Sequence, residues 1–270
     1  MSIRSSQLRD ALGRPIRYKT GDEANTSARD WNTTKCVRGI SGGVLYFPVI
    51  NPFERTDKFS FYCWYRSTSG GAVQTLVSEY GVATAYKGYG FRIISTNVLE
   101  LFLYNNFSGG NLLSVKGTTS VTTGSWVFLA ATYDGSSTVA GSKLYINAVE
   151  DAKGTTVEAL TGSILPGATD YFTISNNLNT DQYLRGKIGE VGVANKELSL
   201  AEIQSIFGST SPHKPRDPRK FDKSLSIIVH WRVGEGDEFP FVTPVIGGHY
   251  GNYYAMGGAA AIQSDTPSIP

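Results

Sequence analysis

Gly124–Asp151 reads GSWVFLAATYDGSSTVAGSKLYINAVED, and its pattern decides the fold class. Trp126, Phe128, Ala130 and Thr132 alternate with Val127, Leu129, Ala131 and Tyr133, so both faces of the run are largely apolar or aromatic. A strand facing water on one side alternates apolar with polar; a run like this one is covered by a layer on each side. Asp134-Gly135 and the Ser/Thr/Gly residues through Ser142 break it, and Lys143–Asn147 (KLYIN) returns as a second strand. The spacing predicts a hairpin at the centre of an all-β domain.

Outward from the hairpin the chain continues in short strands. Gly42–Ile50, Phe59–Arg66, Thr75–Tyr80, Tyr89–Ser95, Val98–Tyr104 and Leu113–Val121 precede it, punctuated by Gly70-Gly71, Gly81, Gly88, Gly90 and Asn97. In Phe59–Arg66 (FSFYCWYR), Phe59, Phe61, Cys63 and Tyr65 share one face, with Tyr62 and Trp64 on the other. Tyr171–Ser175 and Leu184–Ala194 follow the hairpin. Leu198–Phe207 is the one convincing helix: Ser199 and Glu202 form a capping box, and Leu200, Ile203 and Phe207 share a face. Ile3–Leu12 reads as a further short helix, stopped by Gly13 and Pro15.

The 270 residues are 40% hydrophobic and 12% aromatic, with 30 Gly, 15 Tyr and 13 Phe, a globular strand-and-turn composition that excludes disorder. No apolar run reaches the length of a membrane span, and MSIRSSQLRD has no hydrophobic signal core, so neither membrane insertion nor secretion is expected. Net charge is +2, but residues 1–40 hold eight Lys/Arg against four Asp/Glu, and residues 213–223 hold five against two. These charges lack interleaved aromatics, which points to a solvated or protein-docked arm and away from nucleic acid. Cys36 and Cys63 are expected as reduced thiols, and with His213, His230 and His249 they offer no zinc-ligand spacing.

SWVFLAATYDG…KLYIN resembles the central hairpin of the laminin-G-like, concanavalin A-like lectin/glucanase jelly rolls. LRGKIGEVGVA at Leu184–Ala194, followed by the helix, is similar to that family's closing strand and helix, so the resemblance spans about residues 42–207. It implies a two-sheet antiparallel jelly-roll sandwich with one short C-terminal helix. Asn147-Ala148 stands where the family has Asn-Gly, which predicts a wider turn. The expected layout is an extended N-terminal arm (1–40), the jelly roll (41–208), a Pro-rich basic linker (209–223) and a C-terminal docking tail (224–270). Within the tail, Trp231, Arg232, Gly234, Gly236, Asp237 and Pro240 resemble a segment found late in bacteriophage structural proteins that carry this jelly roll.

Glucanases of this superfamily place catalytic carboxylates on one face of a strand. The nearest counterpart, Glu235, Asp237 and Glu238, puts its third carboxylate on the opposite face, so no catalytic residues are expected. The family's calcium rims imply a candidate Ca²⁺ site at Asp170, Asn176, Asn177 and Asp181, although Asn and Asp are also the common turn formers. Candidate glycan contacts are Tyr86, Tyr89, Tyr104, Asn105 and Asn106, beside Tyr80 and Phe107; buried sandwich aromatics explain such residues equally well.

Trp31, Trp231, Arg232, Tyr250 and Tyr253 are the candidate docking residues in the two ends. The resulting expectation is a non-enzymatic bacteriophage virion structural protein, a capsid decoration or tail-associated subunit assembled in the host cytoplasm. Its ends would engage other virion proteins and copies of itself, and its jelly roll would touch host glycans. The alternative is a lectin-like carbohydrate-binding adhesin, with or without calcium.

Overall fold

The computed structural model describes residues 35–39, 43–47, 50, 52–81, 86–121, 124–167, 170–177, 182–208, 214–233, 241–242, 244–248, 251–255 and 262–264. The expected helix at Ile3–Leu12 lies outside them, as does most of the N-terminal arm. Among the described residues no helix is long and apolar enough to cross a membrane.

Two antiparallel sheets face each other. The first contains β10 (Val149–Asp151), β9 (Ser142–Ile146), β8 (Trp126–Tyr133), β3 (Phe59–Ser67), β13 (Gly186–Ala194), β1 (Lys35–Arg38) and β18 (Ile262–Ser264), in that order. On the same sheet β14 (Ile227–Trp231) pairs with β13, and β16 (Pro244–Ile246) pairs with β14. The second runs β11 (Lys153–Glu158), β7 (Asn111–Ser120), β6 (Val98–Asn106), β5 (Lys87–Ile93), β4 (Gln74–Gly81), β12 (Phe172–Ile174), β2 (Gly43–Phe47), β17 (Gly251–Ala255) and β15 (Phe241–Val242). The jelly-roll sandwich expected from the central hairpin is the observed architecture.

The main core lies between the sheets. Phe59, Phe61, Cys63 and Tyr65 of β3 and Val127, Leu129, Ala131 and Tyr133 of β8 meet Tyr89, Phe91, Leu101 and Leu103 of the second sheet. On the far side of the first sheet, Tyr62, Trp64, Trp126, Phe128 and Ala130 form a second cluster beneath helix α1 (Leu200–Phe207). The double-faced alternation of β8 therefore has its cause: core on one side, helix on the other. The Ser199/Glu202 capping box is present as expected. The helix buries Ile203, Ile206 and Phe207, while Leu200 is 42% exposed. Leu200 in the first turn falls outside the stripe, and Ile206 takes its place.

The turn at Asn147-Ala148 is tight, which corrects the expectation of a wide one. Ile146 pairs directly with Val149, so two residues make the connection, and both are left-handed (φ 51° and 59°). Asn147 makes this possible without glycine. Its N–H donates to the Phe128 carbonyl (2.8 Å), and its Oδ1 accepts the Phe128 N–H (2.9 Å), which stitches the turn to β8.

The C-terminal segment builds into both sheets. β14 and β1 share one edge of β13: Val37 pairs with Ile188, and Trp231 with Val191. β17 lies along β2, with Tyr253 opposite Leu45. Trp231, expected as a docking residue, is 0% exposed, its ring 4.3 Å from Phe47 and 5.7 Å from Phe172 between the sheets. A large apolar ring beside an open core gap is buried there because that removes the most surface from water. Arg232 likewise turns inward, its Nε donating to Glu190 Oε1 at 3.3 Å. Trp31 and Tyr250 lie outside the described residues.

Two stability measurements check these assignments. Trp231→Ala is expected to cost about 3–5 kcal/mol in urea denaturation, as for a core aromatic; unchanged stability would return Trp231 to the surface. Asn147→Ala should cost about 1–3 kcal/mol through the lost hydrogen bond and left-handed strain, and a neutral result would mean the turn does not need its side chain.

Candidate functional site

Period-two alternation sends every second residue of the second sheet away from the core. Tyr80 of β4, Arg92 of β5, and Glu100, Phe102 and Tyr104 of β6 share that outer face. Cross-strand register makes them neighbours: Arg92 lies opposite Glu100, and Gly90 lies between Ser78 and Phe102. A Cβ at Gly90 would sit 2.5 Å from the Phe102 ring, so the glycine is what lets that ring lie across β5.

The result is an aromatic row around one cation. Phe102 stacks on Tyr104 at 4.5 Å and meets Tyr80 edge-on at 5.7 Å. The row continues outward through Tyr86, 6.2 Å from Tyr80, to Phe107, 6.0 Å from Tyr86 and 5.0 Å from Tyr104. Phe107 is 49% exposed and Tyr86 half-buried, whereas Tyr80, Phe102 and Tyr104 are buried behind them. Tyr86 adopts a left-handed conformation (φ 61°), an unfavourable backbone for an aromatic residue that fixes where its ring points.

Arg92 organises the polar half. Its Cζ lies 4.5 Å over the Phe102 ring, its Nε binds Glu100 Oε2 at 2.5 Å, and its Nη2 donates to Tyr104 Oη at 3.0 Å. Ser114 donates to the other Glu100 oxygen at 2.5 Å. Asn177 Nδ2 donates to Tyr80 Oη and, at 2.5 Å, to Gln182 Oε1. Burial alone would lower the Arg92 pKa, but Glu100 and Tyr104 outweigh it and raise the value. Burial also pushes the Tyr80 hydroxyl up to about 12 and the Tyr104 hydroxyl higher. Both phenols are therefore neutral hydrogen-bonding groups across the ordinary pH range.

The structure separates the sequence-predicted glycan residues. Tyr86 and Tyr104 join the outer row. Tyr89 does not: one strand position away from Gly88 and Gly90, it points into the core at 0% exposure, with its O–H on Glu79 Oε2 at 2.7 Å. Asn105 Nδ2 donates to the Ser163 carbonyl (2.7 Å), tying the end of β6 to a loop far along the chain, and Asn106 accepts the Gly109 N–H (2.9 Å) within its own turn. Arg92, Glu100, Phe102 and Gln182 were missed. The signal for Arg92, Glu100 and Phe102 was a charged residue inside each of two largely apolar runs, residues 89–93 and 98–104, together with a Gly-x-Gly at residues 88–90; Gln182 had none.

Three of the four candidate calcium residues are described, and each makes hydrogen bonds within the protein. Asp170 Oδ2 accepts the Gly167 N–H at 2.5 Å to close a turn, and Asn176 Oδ1 accepts the Asn177 N–H at 2.8 Å. Asn177 donates its NH₂ to Tyr80 Oη and Gln182 Oε1. Asp181 lies outside the described residues. No group of three or more His, Cys, Asp or Glu side chains able to hold a metal occurs among the described residues.

A second polar cluster has the residue types of an active site. Tyr62 Oη lies 2.8 Å from His230 Nδ1, and His230 Nε2 lies 2.7 Å from Glu190 Oε2. Glu190 reaches them from a bulge in β13, where its φ is 51°. All three are buried under Trp64, Phe128 and Phe221, beside a cavity of about 10 Å³, room for no more than one water. Burial, reinforced by Glu190, raises the Tyr62 pKa well above its ordinary value. The cluster ties β14 to β13 and β3.

Residues 39–204 match the model of the concanavalin A-like lectin/glucanases superfamily. The chain belongs to that superfamily. Among solved structures, a candidate carbohydrate-binding protein from Bacteroides ovatus is 16% identical and aligns with a TM-score of 0.61 over 88% of this chain. The chain spans 62% of that protein's length. The CBM40 domain of Ruminococcus gnavus IT-sialidase, bound to α2,3-sialyllactose, is 15% identical over 66% of this chain and 100% of its own (TM-score 0.45). A SAP-like pentraxin from Limulus polyphemus is 12% identical over 87% and 93% (TM-score 0.47). At these identities the Bacteroides protein shares the superfamily fold, and the other two add no further argument. No curated protein matches the chain in sequence.

The buried pair at the centre of the site has a measurable signature. Arg92→Met leaves the Glu100 carboxylate buried without its cation and should cost about 3 kcal/mol. Arg92→Met with Glu100→Gln should cost distinctly less than the two single changes summed, as read from a denaturation cycle. Strict additivity would mean that the two residues do not act as a unit.

Proposed function

We propose that this chain is a non-catalytic carbohydrate-recognition jelly roll that binds sugar on the outer face of its second sheet. The observation that carries this reading is the aromatic row ending in Tyr86 and Phe107, backed by the Arg92–Glu100 pair. Sugar rings present apolar C–H faces edged with hydroxyls. An exposed ring beside fixed hydrogen-bonding groups complements both. Tyr86 and Phe107 supply the platform; the buried members hold it in position. Superfamily membership supports the reading, since lectins share this architecture, though fold alone does not specify a ligand. The absence of catalysis is part of the proposal: the described outer face pairs its one carboxylate, Glu100, with Arg92.

A virion location is a second proposal, favoured by the resemblance of residues 224–240 to bacteriophage structural proteins. Under it the sugar face would meet host glycans. Trp231 and Arg232 of that segment are built into this chain's own fold, so attachment to neighbouring subunits would use other residues.

A glycan array followed by calorimetric titration of the best ligand tests the main reading. Phe107→Ala should weaken binding about tenfold, ~1.4 kcal/mol, without shifting the melting temperature by more than a degree or two. Retention of no glycan by the folded wild type would sink the proposal.

A further inference from the structure

Glu79 sits on the inner face of β4, opposite Phe172 of β12 on one side and Tyr89 of β5 on the other. It is buried in full. Its Oε2 accepts the Tyr89 O–H at 2.7 Å, while Oε1 has no hydrogen-bond partner among the described residues. The titratable groups facing it are Tyr89 itself and Asp170, just ahead of β12; Asp57, ahead of β3, acts on Tyr89. The surrounding wall is aromatic, with Phe53, Phe59 and Phe61 around the Tyr89 ring. A carboxylate placed here has one unsatisfied oxygen, a second acid nearby and no cation among these groups. Its neutral form is the one the site accommodates.

The same spot adjoins the outer face. Tyr80 follows Glu79 directly, and its ring belongs to the aromatic row. Across the hairpin, Gly88 (φ 141°) packs its backbone against the Glu79 carbonyl and Tyr80 Cβ, which leaves no room for any side chain there. Glu79 thus lies directly against both strands that lead to Tyr86.

We propose that the Glu79 carboxyl is a proton-operated latch on the β4–β5 hairpin. Protonated, it seats the hairpin against Tyr89; ionised, it loosens the hairpin and with it Tyr80 and Tyr86. The latch stands independently of the carbohydrate reading, and only its effect on ligand affinity rests on that reading. Burial, followed by the charge of Asp170 and opposed by the Tyr89 hydrogen bond, pushes the Glu79 pKa up to about 7. The folded pKa lies above the ordinary 4.5, so the folded state keeps a proton that the unfolded chain has released. The stabilisation is complete below the unfolded value and is lost as pH rises through about 7. Between pH 5 and 8.5 this one group changes the unfolding equilibrium by a factor on the order of 100.

Urea denaturation and hydrogen exchange of wild type and Glu79→Gln at the two pH values test the latch. Glutamine still accepts the Tyr89 O–H but does not titrate. The expected result is that wild-type stability falls with pH by roughly 100-fold more than that of the variant. Amides of β4 and β5 should lose protection at the higher pH in wild type alone, after correction for intrinsic exchange. Equal pH dependence in both proteins overturns the latch. If the variant does not fold, wild-type exchange decides: protection in β4 and β5 falling no more than in β8 overturns it as well. A wild type that shows the latch yet retains no glycan removes the carbohydrate reading and leaves the latch standing.

Discussion

The pairing of β3 with β8 is the constraint on which the rest depends. Eight consecutive residue pairs, from Phe59 opposite Tyr133 to Arg66 opposite Trp126, are covered on both faces. Because both faces are apolar, hydrophobicity alone would tolerate a one-residue slip. Shape does not. Tyr62 occupies the space left by Gly192 on β13, where a Cβ would collide with its ring, and Trp64 fits against Phe207 of the helix at 5.9 Å. Interiors packed to near-crystalline density discriminate between registers on such differences.

Polar chemistry appears where that packing leaves a face uncommitted. On the second sheet the core claims one side, and the other carries Arg92 and Glu100 in direct opposition. In a setting this buried, neither charge is stable without its partner, and the flanking Tyr104, Ser114 and Phe102 complete the environment of both. The Tyr62–His230–Glu190 cluster obeys the same logic with another outcome. Buried beside aromatic side chains, its hydrogen bonds bind three strands together.

The C-terminal segment shows how an edge is managed. The free side of β13 would offer unpaired backbone groups to any passing strand. β1 and β14 divide that side between them, and β17 does the same for β2. Trp231 makes the arrangement cooperative, because the strand that covers the edge also fills the core between Phe47 and Phe172.

Much of the fold was legible in local pattern. The strands from Phe59 to Tyr145, the capped helix and the sandwich class follow from alternation, turn residues and the Ser199–Glu202 spacing, all of which act within a few residues. Tyr86 and Tyr104 were legible as aromatic residues in or beside loops, but Tyr89 resembled them in every local respect and faces the other way. Orientation depends on the count from a bulge and on the partner strand, and the bulge between Thr75 and Val77 has no plain signature in sequence. Nor does local sequence reveal that Trp231 belongs between Phe47 and Phe172, or that the charge of Asp170, just ahead of β12, reaches Glu79. The sequence by itself determined which residues form strands and which of their faces avoid water, because those depend on neighbours along the chain. The tertiary structure decided which residues face each other, and with that the outer aromatic row, the buried ion pair and the Glu79 carboxyl, because such contacts depend on the register and face of neighbouring strands and not on spacing along the chain.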